Sequence, residues 1–225
     1  MNKITLIYAY YNCPTVIPLL VENWNRLPDN VKVIVVDDCS TPSFDSIISD
    51  YILNKYISVY RIHDDIKWNQ PGAWNLGITK CDTEWFINMP VDRTIPDSTI
   101  DIMSSCNLDP NYYYTFRDAL NGVVDGNFPP GIMMLNTRIV NALGLFDEDF
   151  CGNYGYDDII FREKINKHLT PICLENWIMD VIFAASDEHG LSRDSSVNQQ
   201  LMIGKQNGSI PSSKNYLRFK WERVR

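Results

Sequence analysis

Two stretches near the N-terminus, Ile4-Thr5-Leu6-Ile7-Tyr8-Ala9-Tyr10 and Val31-Lys32-Val33-Ile34-Val35-Val36, are short, rich in β-branched residues and almost continuously apolar. That is the pattern of inner strands in a parallel sheet covered on both faces. Between them, Val16, Leu19, Leu20, Trp24 and Leu27 recur at helical spacing behind Pro14-Thr15, predicting a helix that opens on a proline. The alternation continues with a short helix over 44–51, a strand over 57–62, a helical turn over 72–78 and a strand over 84–88. Strands alternating with helices predict an α/β fold with a mostly parallel sheet and right-handed crossovers. The second half is less regular. Strands over 112–117 and 132–135 flank a turn-rich stretch from Asn121-Gly122 to Pro129-Pro130-Gly131. Helices over 137–143 and 157–167 and a strand over 177–184 follow.

Polar residues collect where these strands should end. Asp37 and Asp38 follow the second strand directly, and open α/β sheets bind ligands in the crevice at the carboxyl ends of their strands. An Asx-turn or helix cap made by Asp38, Ser40 or Thr41 accounts for the same pair equally well. The first strand ends in Tyr10-Tyr11-Asn12, suited to a planar base, and the fourth in Met89-Pro90-Val91-Asp92-Arg93. Gly155-Tyr156-Asp157-Asp158 opens a later helix, where favourable charge against the helix dipole is a sufficient alternative reason for the acidic pair.

Charge and cysteine usage narrow the class. A net charge of −8 and a pI near 4.8 argue against a nucleic-acid or anionic-membrane binder. A phosphate ligand would then need a metal or a few well-placed cations. Six dispersed cysteines with no CxxC pair argue for reduced thiols and a cytoplasmic setting. No signal peptide or membrane segment is legible. The expected organisation is one domain over 1–213, followed by a basic, aromatic tail or linker over 214–225, with a further domain possible beyond Arg225.

Taken in order, Tyr11-Asn12, Val35-Val36-Asp37-Asp38-Cys39-Ser40, Trp68-Asn69-Gln70-Pro71-Gly72-Ala73-Trp74-Asn75-Leu76-Gly77-Ile78, Phe146-Asp147-Glu148 and Gly155-Tyr156-Asp157-Asp158 resemble family-2-type glycosyltransferases of the GT-A fold. The tract Asp187-Glu188-His189-Gly190-Leu191-Ser192-Arg193-Asp194 is similar to the His-containing loop that follows the catalytic core in related galactosyltransferases. The resemblance implies a nucleotide-sugar-binding half over 1–95 and an acceptor and catalytic half, partly antiparallel, over 96–213.

It also implies roles. Tyr11 and Asp38 would hold the base, Asp38 accepting an imide N–H and so favouring uracil, with Asp37 supporting that loop or the ribose. Asn69, Gly72 and Asn75 would line the donor sugar and diphosphate, and Arg193 would pair with the diphosphate. Asp92 and His189 would hold Mn²⁺ or Mg²⁺. The family's metal motif has an aspartate where this chain has Pro90, and commonly an arginine where it has Trp74. Asp158 would be the general base of an inverting, hexosyltransferase-type reaction, with Asp157 on an acceptor hydroxyl. Trp68, Tyr154 and Tyr156 are candidate stacking surfaces for a glycan acceptor. Two other functions fit parts of the pattern. One is a non-catalytic nucleotide-sugar or glycan-binding module, favoured by the lost aspartate. The other is a sugar-phosphate nucleotidyltransferase, which would need a Gly-rich basic loop that Tyr10-Tyr11-Asn12-Cys13-Pro14 does not supply.

Overall fold

In the computed structural model, which describes residues 1–124, 129–182 and 190–225, the strands are numbered in chain order. They are β1 (Ile4–Tyr10), β2 (Val31–Asp38), β3 (Ile57–Ile62), β4 (Trp85–Pro90), β5 (Arg93–Thr94), β6 (Tyr112–Leu120), β7 (Val123–Val124), β8 (Met133–Asn136), β9 (Thr170–Val181) and β10 (Trp221–Arg223). The helices are α1 (Ile17–Arg26), α2 (Phe44–Ile48), α3 (Gln70–Lys80), α4 (Asp97–Ser105), α5 (Thr137–Leu143), α6 (Asp157–Asn166) and α7 (Ser196–Gln206).

Among the described residues the strands form one mixed sheet in the order β10-β3-β2-β1-β4-β8-β6-β9-β5, with β7 paired to β6. β3, β2, β1 and β4 run parallel. β8 lies antiparallel to β4, β6 antiparallel to β8, and β9 parallel to β6. The continuous apolar run of β2 has a direct cause, because both of its faces are covered. Val31, Val33 and Val35 face one core with Leu20 and Trp24 of α1, while Ile34 and Val36 face another with Leu76 and Ile78 of α3. Alternate side chains of a strand serve opposite layers. Gly77 lets α3 lie close on the sheet, since a Cβ there would collide with the Ile7 side chain.

The α/β class and parallel nucleus match the sequence expectation. Three parts do not. α4 and α7 lacked an apolar stripe strong enough to announce them. Strand β9 begins at Thr170 rather than near 177, because its first half is mostly exposed and carries little apolar signal. The segment over 214–225 is no loose tail: β10 pairs antiparallel with the edge strand β3, and Phe219 is buried in the α3 core. Trp221 packs 6.1 Å from Tyr60 and under the Lys80 ammonium, so the basic residues decorate a packed strand.

Candidate active site

The parallel register places the ends of β1, β2 and β4 side by side. Tyr10 pairs with Asp37, and Ala9 with Pro90. A cavity of about 210 Å³ opens there, and its lining includes Tyr11, Asp38, Asn69, Asp92, Leu191 and Arg193. The two aspartates after the second strand divide their tasks. Asp37 is buried and accepts from the Ser40 N–H at 2.9 Å, the Phe44 N–H at 3.0 Å and the Arg61 guanidinium at 2.9 Å. It therefore shapes the loop that leads into α2, the turn-forming half of the two readings. Asp38 lines the cavity and accepts from Asn69 Nδ2 at 2.8 Å. Burial pushes its carboxyl up to about 7, partly offset by that hydrogen bond. Tyr11 closes the mouth, its hydroxyl donating to Asp65 at 3.1 Å.

Asp92 is the acidic group at the end of β4. Its Oδ2 lies 2.6 Å from Arg93 Nη1, and Arg93 is gripped by Asp118 through Nε at 3.1 Å and Nη2 at 2.9 Å. Asp92 Oδ1 is buried and has no hydrogen-bond partner among the described residues. A buried carboxylate oxygen without a hydrogen-bond partner, on a residue that lines the cavity, suits a hard divalent cation. The described residues hold no cluster of three or more metal-ligating side chains. His189 lies outside the described residues.

A second cavity, of about 540 Å³, adjoins the first, and Trp68, Gln70, Pro90 and Asp92 line both. Its lining also includes Tyr154, Tyr156, Asp157, Asp158 and Gly131, which lies against Asp158. The chain enters α6 through Gly155 and Tyr156, both at positive φ (86° and 68°), a turn that sets the two aspartates at the helix N-terminus. Asp158 Oδ1 accepts from the Ile159 N–H at 2.8 Å. Asp157 is buried, and its Oδ2 has no partner among the described residues. Burial, then the neighbouring Asp158 charge, raises the Asp157 carboxyl to about 7, and burial raises Asp158 as well. Burial thus raises the proton affinity of both carboxyls, and repulsion adds to it at Asp157.

Two residues that resemblance puts on the donor sugar take other work here. The Asn75 side chain is fully buried and hydrogen-bonds the Phe146 backbone and Glu148. Gly72 is also buried, and a Cβ there would strike Asn69 and Phe219, so it provides room for packing at the start of α3. Neither is in the lining of the two cavities. Trp74 is buried against Phe146 at 5.1 Å, a core contact whose edge reaches the second cavity. Glu148 accepts from the Leu217 and Arg218 N–H groups, which fastens the C-terminal segment beneath the site.

Several contributors escaped the sequence reading. Asn198, buried in α7, donates to the Phe150, Asn153 and Gly155 carbonyls at 2.8–3.0 Å and so fixes the loop before α6. Asp118 orients Arg93 across three strands. Both act through contacts distant in sequence, which no local pattern signals.

Residues 5–105, from β1 through α4, match the family model of glycosyl transferase family 2. The fold is GT-A. No curated protein matches the chain in sequence. Among solved structures, this GT-A domain is similar to the mannosyltransferase PcManGT of Pyrobaculum calidifontis in complex with GDP-Man and Mn²⁺. The TM-score is 0.64 at 15% identity, over 84% of this chain and 59% of that one. It is also similar to the 1–349 portion of S. aureus TarS, with a TM-score of 0.56 at 16% identity over 81% of this chain and 59% of that one. Against a longer TarS structure the TM-score is 0.56 at 17% identity, and the chain spans 37% of it. At such identities the likeness is one of fold. No helix among the described residues is long and apolar enough to cross a membrane.

Proposed function

We propose that this chain catalyses glycosyl transfer from a nucleotide sugar, with UDP-sugar as donor and a glycan hydroxyl as acceptor. The observation that carries the proposal is that the Asp38 pocket and the cavity lined by Asp157 and Asp158 adjoin, sharing Trp68, Gln70, Pro90 and Asp92, on a fold of which residues 5–105 match family 2. Residues 1–95 would handle the donor and 96–213 the acceptor.

Asp38 would accept the uracil imide N–H, Tyr11 would cover the base, and Arg193 would meet the diphosphate. Asp92 Oδ1 would hold a divalent cation, Mn²⁺ or Mg²⁺, with His189 the proposed second ligand; when bound, that ion would neutralise charge on the departing diphosphate. Asp158 would accept the acceptor's proton as its oxygen attacks the anomeric carbon. The new C–O bond forms while the bond to the β-phosphate oxygen breaks on the opposite face, inverting the centre. Asp157, buried beside it, would bind the acceptor hydroxyl and keep the pair's proton affinity near neutral. Trp68, Tyr154 and Tyr156 offer aromatic faces for a sugar ring. The six cysteines are dispersed with no CxxC pair, which supports a reducing, cytoplasmic setting.

A guanine base offers a comparable N–H donor, and the Pyrobaculum enzyme was solved with GDP-Man, so donor choice is tested with both nucleotides. Release of UDP or GDP from a panel of nucleotide sugars with Mn²⁺ tests the reading. Release from a UDP-sugar that Asp158→Asn abolishes, with UDP binding retained, supports it. Binding of neither nucleotide would sink it.

A further inference from the structure

Trp68 stands at the junction of the two cavities and lines both. Its backbone is left-handed, with φ at 49°, a conformation that a bulky residue rarely keeps unless its surroundings hold it there. Two contacts of its side chain reach opposite walls, and the next residue extends the connection. The indole N–H donates to the Ser192 carbonyl at 2.7 Å. The ring packs on Tyr154 with centroids 4.6 Å apart. Its chain neighbour Asn69 donates to Asp38. Tyr154 in turn lies 5.9 Å from the Arg193 guanidinium. Leu191 and Arg193, on either side of Ser192, line the donor cavity, while Tyr154 lines only the acceptor cavity.

We infer that Trp68 is a positioning residue that sets the Leu191–Arg193 segment over the donor pocket and ties it to the Tyr154 wall of the acceptor pocket, so that the two substrates bind interdependently. This rests on the glycosyl-transfer reading. The Trp68 side chain joins both walls, one by a hydrogen bond and the other by a ring contact. A purely packing role would affect folding; this role predicts an effect on nucleotide affinity from a residue of the other cavity.

The test is calorimetric titration of the full chain with UDP and Mn²⁺, or with GDP if that is the nucleotide bound. Trp68→Phe keeps a ring beside Tyr154 and removes the N–H, and should weaken nucleotide binding about three- to tenfold, the range for one hydrogen bond. Tyr154→Ala should weaken it similarly from outside the donor cavity. The double variant should lose less than the product of the two, since both act on one connection. Unfolding midpoints of the single variants should stay near wild type. Unchanged affinity in both variants, or losses that multiply independently, would overturn the inference while leaving the glycosyl-transfer reading intact. A wild-type chain that binds neither nucleotide would overturn both.

Discussion

Replacing Asn75 with alanine separates packing from donor contact. The side chain is wholly buried and makes three hydrogen bonds to one segment. Nδ2 donates to the Phe146 carbonyl and to Glu148 Oε1, each at 2.9 Å, and Oδ1 accepts from the Phe146 N–H at 2.8 Å. Alanine strips the Phe146 N–H of its partner and weakens the support of a buried carboxylate that also anchors Leu217 and Arg218. Each buried polar group left unpaired costs about 1–3 kcal/mol. With partial relaxation the total is about 3–5 kcal/mol. For a chain of this length each kcal/mol lowers the midpoint by about 2–4 °C, so thermal unfolding should shift down by about 10 °C. UDP affinity, measured well below the midpoint, should stay within about twofold of wild type, because the replaced group does not face the cleft. An unmoved midpoint with markedly weaker UDP binding would refute this reasoning and return Asn75 to the donor site.

Other outcomes follow from the same geometry. Asp158→Asn should lower transfer by about 10²–10⁴-fold, the usual contribution of a general base, while UDP affinity persists; undiminished turnover would remove Asp158 from that role. Asp92→Asn should abolish the Mn²⁺-dependent part of UDP binding seen by calorimetry, and an unchanged metal response would place the ion elsewhere. Burial raises Asp38 and Asp157 to about 7, so between the unfolded carboxylate value near 4 and about 7 the folded state binds more protons than the unfolded one. Stability of the ligand-free protein should therefore rise as pH falls from about 7 to about 5, and Asp38→Asn should flatten that slope in a thermal-shift series. A slope of opposite sign, or one unaltered by the substitution, would contradict those environments. The activity profile should fall on the acid side, because a proton-acceptor carboxylate must be ionised to work.

The fold was legible wherever burial was two-sided. Val31 to Val36 and Ile4 to Tyr10 announce their strands because each face meets a helix layer, and the helix-strand alternation dictates the parallel order. Elements with one wet face, such as the start of β9, left weaker traces. The C-terminal strand was hidden by its charge: Arg223 and Arg218 read as a solvated tail, while Phe219, with Leu217 and Trp221 packed beside it, supplies the burial. In the site, the ends of β1, β2 and β4 were readable because topology alone converges them. What each polar side chain does there was not. Asp37 and Asp38 are adjacent in sequence yet turn to a loop backbone and to a cavity respectively. Asn75 sits in a motif but is claimed by Phe146, 71 residues away. Asn198, Asp118 and Trp68 act through partners that no local pattern indicates.

The most direct test of the central claim is nucleotide binding at the Asp38 pocket, measured by titrating wild type and Asp38→Ala with UDP and with GDP, with and without Mn²⁺. The account predicts that wild type binds UDP in preference to GDP, that Mn²⁺ strengthens binding, and that Asp38→Ala weakens UDP about tenfold or more even without metal, as expected for a lost charge-assisted hydrogen bond. Equal UDP affinity in wild type and Asp38→Ala would contradict it.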